Sequence, residues 1–358
     1  MGSLKARILW WSSVSGDPSR GNRIAFENIG VQTELLTQNI MPQVHLQYGA
    51  DFIFTGMIYE MLNWAGMGFL KLPVVIQGGG YGPYFLPDGK IDRNFEKVTD
   101  IPQSIVTVLD PNYYLEMQKS GLEFDYEQFF LVPNGLTMTL TKFPMLPQKR
   151  SEDEFVILNP SGNFWIKNPQ KFIEATKLVF KEEPKIKFQF PIKTRYSYNA
   201  PIKWLDCENV ELMPIKSQPQ LYMLYQKADV VGVYSEAEIL PTHVFEALWF
   251  DKPLIHSHLG MLQSVPSECL GEMTKDFGMS IPKFHEKWKG EYLKGDHFKY
   301  VKSPKEFAES CIELYNNEEE RKELAKRGNE WISEFWAMED KAQLLVDMLQ
   351  ERKFVGGD

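Results

Sequence analysis

The sequence predicts an α/β protein of two domains, each built on a largely parallel β-sheet wrapped by helices. Short β-branched apolar runs alternate with amphipathic helical stretches along most of the chain, as in successive strand–helix–strand units. The alternation is interrupted by a segment rich in proline and charge, residues 143–154, and then starts again. With 358 residues, of which 43% are hydrophobic, the chain is long enough and apolar enough to fill two cores.

The first half contains five apolar runs with the length and composition of buried strands. The first run is followed by a glycine-containing loop, residues 13–22, and then by an amphipathic stretch that begins at Arg23. The predicted strands are 6–12, 51–55, 73–77, 105–109 and 129–133, and the predicted helices are 57–68 and 112–120.

The second half repeats this order and ends in a helical region. Residues 169–182 show clear helical spacing, because their apolar side chains recur on one face. The predicted strands are 155–158, 187–190, 210–212, 228–234 and a short run after Pro253, and the predicted helices are 169–182, 218–226, 242–250, 304–315, 318–328 and 329–350.

Composition and charge exclude several classes of protein. A net charge of −9 gives no reason to expect a nucleic-acid partner. The three cysteines are widely spaced, which favours a reducing setting, and we expect a cytoplasmic location rather than a disulfide framework. No Asp-x-Asp follows a strand and the histidines are scattered, so we expect no metal site and no cofactor.

Membrane insertion is also disfavoured by the sequence. The chain opens on a predicted strand, so we expect no signal peptide. The longest apolar stretch, residues 57–77, contains Glu60, Asn63 and Lys71 and is unsuited to crossing a bilayer. We therefore expect no transmembrane segment, whereas peripheral contact with a membrane is compatible with the sequence.

The most informative residues are two glutamates, Glu238 and Glu246, which are separated by seven residues. Glu238 follows a predicted strand on a loop, and Glu246 lies about one turn into the next predicted helix. Thr242 and His243 begin this helix, and we expect the Thr242 hydroxyl and the backbone N–H groups to bind a pyrophosphate. Two carboxylates that bracket an anion site suit a sugar nucleotide, although the pair alone also fits a solvated helix face.

This region resembles the retaining glycosyltransferases of family 4, which have a GT-B fold. Their nucleotide-sugar motif has two glutamates at this spacing, then an alanine and a proline-containing turn, here Ala247 and residues 251–255. Ile239 and Leu240 replace the Gly-Phe-Gly of the family. From about residue 128 onward, other parts of the family pattern occur in the same order: 132–136, 159–168, 221–229, and a C-terminal run with Arg321, Leu324, Gly328 and Phe335-Trp336.

The resemblance implies two Rossmann-like domains that face each other across a cleft. Residues 1–146 would bind the acceptor, residues 147–335 the nucleotide sugar, and the helix in 336–358 would return to the N-terminal domain. The implied reaction is metal-independent transfer of a sugar from a nucleoside diphosphate, UDP or GDP, with retention of anomeric configuration. The acceptor would be a glycan, a lipid or a small molecule. The choice of base would rest on contacts near Leu212 and Pro214.

The resemblance also assigns roles to the charged residues. Lys167 would neutralise the β-phosphate of the leaving nucleotide, which is the main catalytic requirement of the reaction. Glu246 would accept hydrogen bonds from the ribose hydroxyls, since a carboxylate can take two at once. Glu238 would hold the hydroxyls of the donor sugar near the reacting carbon.

A family arginine that partners this lysine is absent. Gly162 or Asn163 occupies its approximate place, and Asn163 can supply hydrogen bonds to the nucleotide but no charge. Lys193 and Arg195, which follow a predicted strand, are candidate substitutes for the missing cation.

Two glycine-containing loops of the first half are candidate binding segments. Gly16 follows the first strand and allows the backbone to approach a phosphate closely. Gln77 and Gly78 follow a later strand, where the family often has His-Gly. Gln77 is not titratable, but it still offers hydrogen bonds to the hydroxyls of a sugar or an acceptor. Both segments also fit ordinary turns.

The sequence alone is also compatible with other functions. One is a sugar-nucleotide 2-epimerase or a glycan phosphorylase of similar architecture. Another is a nucleotide-sugar-binding subunit without catalysis, which the missing arginine favours.

Overall fold

Contacts within the protein divide it into two units. Unit 1 contains the described residues between 4 and 138 together with 337–356, and unit 2 contains those between 139 and 334. The computed structural model describes residues 4–10, 18–37, 49–56, 58–78, 97–98, 100–108, 128–132, 134–145, 154–161, 168–193, 207–235, 241–257, 296–334 and 337–356.

Unit 1 is built on a sheet of six described strands, and each neighbouring pair is parallel. The spatial order is β2-β1-β3-β4-β5-β6, so the chain changes direction across the sheet between β1 and β3. The strands are β1 (Lys5–Trp10), β2 (Gln32–Thr37), β3 (Phe52–Thr55), β4 (Val74–Gly78), β5 (Ser104–Val108) and β6 (Phe129–Leu131).

Aromatic side chains join the helices of unit 1 to its sheet. Phe26 lies edge-on to Phe52 and Phe54, with ring centroids 5.7 and 5.3 Å apart. All three rings are buried, as the near-continuous apolar strands predict. The helices of this unit are α1 (Pro18–Asn28), α2 (Ile58–Gly66) and the C-terminal α9 (Met338–Glu351), and the short α3 (Met138–Thr141) lies where the chain passes to unit 2.

The C-terminal helix is attached to unit 1 by backbone contacts. Met338 N–H donates a hydrogen bond to the Leu136 carbonyl at 2.9 Å, and Leu136 pairs with Ala337 in a parallel bridge. A Cβ atom on Gly135 would lie 2.6 Å from the Ala337 carbonyl carbon and 2.8 Å from the Met338 nitrogen. Gly135, part of the Pro-Asn-Gly segment noted in the sequence, is therefore needed for the close approach of the two backbones.

Gly135→Ala is expected to destabilise unit 1 by about 1–3 kcal/mol, because the added methyl group would overlap backbone atoms that cannot move independently. Denaturant unfolding measures the loss. Gly66→Ala is the matched control, since nothing lies within 4 Å of its Cβ position and alanine suits a helix end. Equal stability of the two variants would contradict the close packing of α9 on this segment.

Unit 2 also has a sheet of six described strands, all parallel, in the order β12-β11-β10-β7-β8-β9. The chain runs from β7 toward one edge and from β10 toward the other, so the topological switch point lies between β7 and β10. The strands are β7 (Phe155–Leu158), β8 (Ile186–Lys193), β9 (Val210–Ile215), β10 (Val230–Val233), β11 (Leu254–His256) and β12 (Lys299–Tyr300).

A phenylalanine cluster forms the centre of the core of unit 2. Phe172 packs against Phe188 of β8 and Phe307, with ring centroids 5.6 and 5.9 Å apart. Each of these rings is fully buried. The helices of this unit are α4 (Pro169–Glu182), α5 (Gln218–Lys227), α6 (Thr242–Trp249), α7 (Pro304–Asn316) and α8 (Glu318–Ser333).

The strand and helix order agrees with the sequence prediction, apart from the differences that follow. The edge strand β2, the short β12 and the short α3 were not predicted, and α1 begins at Pro18, inside the predicted loop 13–22. Strands β8 and β9 extend beyond their predicted ends, and β9 includes Pro214, which is tolerated because β9 is an edge strand. The predicted helix 112–120 lies outside the described residues.

The predicted helix break at Gly328 is wrong. Helix α8 continues to Ser333, and the next helix starts at Met338. A Cβ atom on Gly328 would lie 2.6 Å from Leu248 Cδ2, so this glycine lets α8 approach α6 closely. Glycine in a sequence often marks a helix end, but here packing between helices explains it.

Candidate functional site

The carboxyl edge of the sheet of unit 2, at its switch point, is the candidate site. Ligands of open α/β sheets bind outside the carboxyl ends of the strands at such a point. Leu158 ends β7, and the Oδ1 atom of the buried Asn159 accepts hydrogen bonds from the backbone N–H and the hydroxyl of Ser161. Val233 ends the neighbouring β10, and Ser235 follows it. The connections after β7 and after β10 therefore leave the sheet side by side.

Helix α4 begins beside this edge. Its N-cap, Asn168, has a left-handed backbone (φ 40°, ψ 62°), and its Oδ1 atom accepts from the Lys171 N–H at 3.2 Å. The ammonium of Lys171 lies 5.8 Å from the centre of the Tyr234 ring, just after β10. A cation and the start of a helix, both suited to an anion, thus lie at the switch point. Lys171 was not among the residues singled out in the sequence.

Glu246 belongs to a buried hydrogen-bonded group. Its side chain is 8% exposed, and its Oε1 atom accepts from Gln218 Nε2 at 2.6 Å, at the start of α5. Burial, and after it the negative charge of the nearby Glu246 carboxylate, raises the pKa of Tyr225 well above its ordinary value. Tyr225 therefore stays protonated, and its hydroxyl donates a hydrogen bond to the His243 carbonyl at 3.4 Å. The Gln218 amide orients the Glu246 carboxylate, which has about four acceptor positions in all.

Two histidines lie in contact next to this group. The Nε2 atoms of His243 and His256 are 2.9 Å apart, and both side chains are buried. His243 is in the first turn of α6, and His256 is at the carboxyl end of β11. Ser257 connects the ends of β10 and β11, since its hydroxyl donates to the Ser235 carbonyl at 2.6 Å and accepts from the Ser235 N–H at 2.7 Å. The contact between His243 and His256 therefore joins the start of α6 to the carboxyl end of β11.

Several residues singled out in the sequence are described by the structure. Thr242 is the first residue of α6, as the sequence predicts, and it is exposed. The residue before it, Pro241, is the N-cap of the helix. Leu212 and Pro214 lie on β9, half-buried and exposed, respectively. The strand β9 ends at Ile215, a few residues before the Gln218 that contacts Glu246.

Other predicted site residues lie outside the described residues. These are Glu238, Lys167, Gly162, Asn163, Gly16 and Arg195, and the side chain of Lys193 is also not described.

A second polar group lies at the carboxyl edge of the sheet of unit 1. Gln77, near the end of β4, accepts hydrogen bonds through Oε1 from Asn22 Nδ2 at 3.0 Å and from Lys341 Nζ at 2.9 Å. Lys341 Nζ also donates to Asn134 Oδ1 at 2.9 Å. Lys341 has no exposed surface, and burial lowers its pKa from 10.5 to about 7. Gly78 is the last residue of β4.

The sequence contained a signal for Lys341 that was not used. Lys341 shares a helix face with Met338, Ala342 and Leu345, which recur at the spacing of a buried stripe. A lysine on such a stripe either extends its charge to solvent or is buried with partners. In this protein it is buried.

Two further observations restrict the chemistry of the described part of the chain. None of its helices is both long enough and apolar enough to cross a membrane. In the same residues, no group of three or more His, Cys, Asp or Glu side chains could hold a metal ion.

Comparison with known proteins gives the fold. No protein-family model and no curated protein sequence matches the chain. Solved structures do match. HepE from Anabaena in complex with UDP-glucose is 13% identical, with a TM-score of 0.68 over 97% of this chain and 100% of that one. Sucrose-phosphate synthase from Thermosynechococcus elongatus is 14% identical, with a TM-score of 0.69 over 97% and 98% of the two chains.

An epimerase also has a similar structure. A putative UDP-N-acetylglucosamine 2-epimerase from Listeria monocytogenes is 10% identical, with a TM-score of 0.52 over 99% of this chain and 98% of that one. Together with the two parallel sheets, these likenesses show that the chain has the GT-B fold, as the resemblance in its sequence implied.

Proposed function

We propose that the protein is a glycosyltransferase that moves a sugar from a nucleoside diphosphate sugar to a hydroxyl-bearing acceptor, with retention of anomeric configuration. UDP and GDP are the candidate nucleotides. The acceptor is a glycan, a lipid or a small molecule. The protein needs no metal for this reaction in our proposal, because its own cations and helix starts neutralise the leaving diphosphate. Membership of glycosyltransferase family 4 is part of the same proposal.

The observation that carries the proposal is the convergence of anion-binding and hydroxyl-binding groups at the switch point of unit 2. The N-cap of α4 and the ammonium of Lys171 lie beside the carboxyl end of β10, and the buried Glu246 lies one turn into α6. Helix starts and cations favour a diphosphate, whereas a carboxylate favours sugar hydroxyls. A nucleoside diphosphate sugar combines both kinds of group in one molecule.

The proposed roles follow the order of groups in such a ligand. Glu246, already oriented by Gln218, accepts hydrogen bonds from the ribose hydroxyls. Thr242 and the backbone of His243 bind the diphosphate, and Leu212 and Pro214 border the base. Lys167, with Asn163 near it in sequence, stabilises the negative charge that grows on the β-phosphate as the glycosidic bond breaks.

The remaining roles concern the sugars. Glu238 holds the donor sugar. We further propose that unit 1 binds the acceptor through Gln77, Gly78 and the Gly16 segment. An attack from the same face as the leaving group, guided by the diphosphate, gives retention.

A screen with three nucleotide sugars tests the proposal. The protein is incubated with UDP-glucose, UDP-N-acetylglucosamine and GDP-mannose, and release of UDP or GDP is measured with water or a sugar alcohol as the acceptor. UDP-glucose is the first choice, because it is present in the similar HepE structure. NMR of the first-formed product reports its anomeric configuration.

The outcomes of this screen separate the alternatives. Nucleotide release with a retained anomer supports the proposal, and an inverted anomer contradicts its stereochemistry. A donor returned with an altered sugar would indicate an epimerase, which the structural likeness to the Listeria protein makes worth testing. A rise in melting temperature with the nucleotide sugar but no turnover would indicate a binding subunit.

Glu246→Ala is expected to weaken nucleotide binding, whereas Glu238→Ala is expected mainly to lower kcat. The ribose does not change during the reaction, so contacts with it contribute equally to the ground state and the transition state, while contacts with the transferred sugar favour the transition state. Calorimetric titration with UDP and steady-state kinetics distinguish the two effects. Small and equal losses in both variants would rule out this division of roles.

A further inference from the structure

A lysine from the C-terminal helix is hydrogen-bonded to a strand-end glutamine in unit 1. Lys341 and Gln77 are 264 residues apart in the sequence, yet Lys341 Nζ lies 2.9 Å from Gln77 Oε1. Both side chains are buried, with exposures of 0% and 2%. A second bond to Asn134 Oδ1 at 2.9 Å fixes the amine from another side.

The hydrogen bonds specify which end of the Gln77 amide faces the interior. An amine with two or three N–H groups donates to an oxygen, so the atom of Gln77 that faces Lys341 is Oε1. Asn22 donates to the same oxygen through Nδ2 at 3.0 Å. Oxygen and nitrogen lie on different sides of a planar amide. The two N–H donors of Gln77 Nε2 therefore point away from Lys341 and Asn22, which both contact the oxygen.

The number of donors on the lysine also matches its surroundings. A neutral amine has two N–H groups, and the Gln77 and Asn134 oxygens accept two hydrogen bonds. Among the described residues, no carboxylate lies within ion-pair distance of Lys341 Nζ. A buried lysine without a carboxylate is costly to retain, so a simple packing role would be better served by an apolar side chain.

We infer that Lys341 is a positioning residue: it holds the Gln77 amide by its oxygen, so that the opposite N–H donors are kept in place to bind a hydroxyl oxygen of the substrate. The inference deepens the proposed function and rests on it for the identity of the substrate, a sugar or another polyol. Lys341 itself touches no substrate and acts through Gln77. The C-terminal helix thus contributes to the binding site as well as to the stability of unit 1.

The experiment compares the full-length protein with three single variants and one double variant. Lys341→Met keeps the length of the side chain and removes its donors, and Gln77→Ala removes the amide. Gln343→Met is the matched control, because Gln343 lies on the same helix with an exposed side chain bonded to Asp347 at 2.7 Å. The double variant combines Lys341→Met with Gln77→Ala.

The first measurement is NMR of the side-chain amide of Gln77 in glutamine-labelled protein without substrate. The resonance is assigned by its loss in Gln77→Ala. We expect Lys341→Met to shift or broaden it and Gln343→Met to leave it unchanged. An unchanged resonance in Lys341→Met would overturn the inference. This measurement needs no substrate, so it tests the role of Lys341 independently of the proposed function. Failure to turn over any nucleotide sugar would contradict the proposed function and leave the NMR result as the test of Lys341.

The second measurement is steady-state kinetics with the nucleotide sugar that gives the fastest release of UDP or GDP, and with the acceptor concentration also varied. Lys341→Met and Gln77→Ala should each raise the KM of one substrate about tenfold, the scale of one hydrogen bond, with a smaller change in kcat. The double variant should be no worse than the poorer single variant, because both remove the same contact. Additive effects, or a fall in kcat alone, would show that Lys341 does not act through Gln77.

Discussion

Replacing Lys167 by alanine is expected to lower kcat about 10²- to 10³-fold, the scale of removing one preorganised electrostatic contact from a developing negative charge. The reason is that the leaving group of the proposed reaction is a nucleoside diphosphate. Lys167 immediately precedes Asn168, the N-cap of α4 at the edge of the sheet. Lys167→Arg should recover part of the rate, since the guanidinium keeps the charge but has a different shape and reach. Initial rates of UDP or GDP release measure both variants.

The control for this prediction is Lys177→Ala, which removes an exposed lysine from helix α4. It should leave kcat unchanged, and all three variants should unfold at nearly the temperature of the wild-type protein. If Lys167→Ala kept near-native turnover while Lys193→Ala or Arg195→Ala abolished it, the phosphate-binding cation would be one of those two residues.

Raising the pH from about 7 to about 10.5 is expected to increase the contribution of Lys341 to the free energy of unfolding. Burial lowers the pKa of Lys341 from 10.5 to about 7 in the folded protein. Between these values the unfolded chain binds a proton that the folded protein has released, so stability rises with pH. The slope is about 1.4 kcal/mol per pH unit. Below about pH 7 both states are protonated, and the contribution no longer changes with pH.

Urea unfolding of the wild-type protein and of Lys341→Met at pH 7, 8 and 9 measures this effect. Other groups titrate in the same range, but they are common to both proteins, so the difference between the two free energies isolates Lys341. We expect the free energy of unfolding of the wild type to rise with pH relative to that of Lys341→Met. A difference that stays constant would contradict the lowered pKa of the buried amine.

Much of the fold could be predicted from local patterns. The strands β3, β4, β7 and β10 are short apolar runs whose neighbours are turns or helices, and α4 combines a capping asparagine, a proline at its first position and an apolar stripe. The edge strand β2 was missed because Gln32–Thr37 carries polar residues and lacks the continuous apolar character of an interior strand. The break assigned to Gly328 failed because a glycine at a helix end and a glycine at a helix–helix contact look the same in sequence.

The candidate site was predicted less completely than the fold. Glu246 stands out in the sequence because its motif has a fixed spacing, but Gln218, which accounts for its orientation, comes from a different helix. The pairing of His243 with His256 likewise joins a helix start to a strand end. Such contacts depend on which strands become neighbours, and spacing along the chain does not specify that.

The sequence by itself determined the alternation of strands and helices, the two-sheet class and the resemblance to GT-B glycosyltransferases, because these depend on hydrophobic periodicity and on motifs read along one segment. Only the tertiary structure decided that Lys341 is buried against Gln77 and Asn134, that Gly135 and Gly328 are positions of close backbone or helix approach, and that β7 and β10 form a switch point. Each of these features joins residues far apart in the chain. Their physical cause is the packing of distant elements, which brings together polar groups and small residues that no local pattern connects.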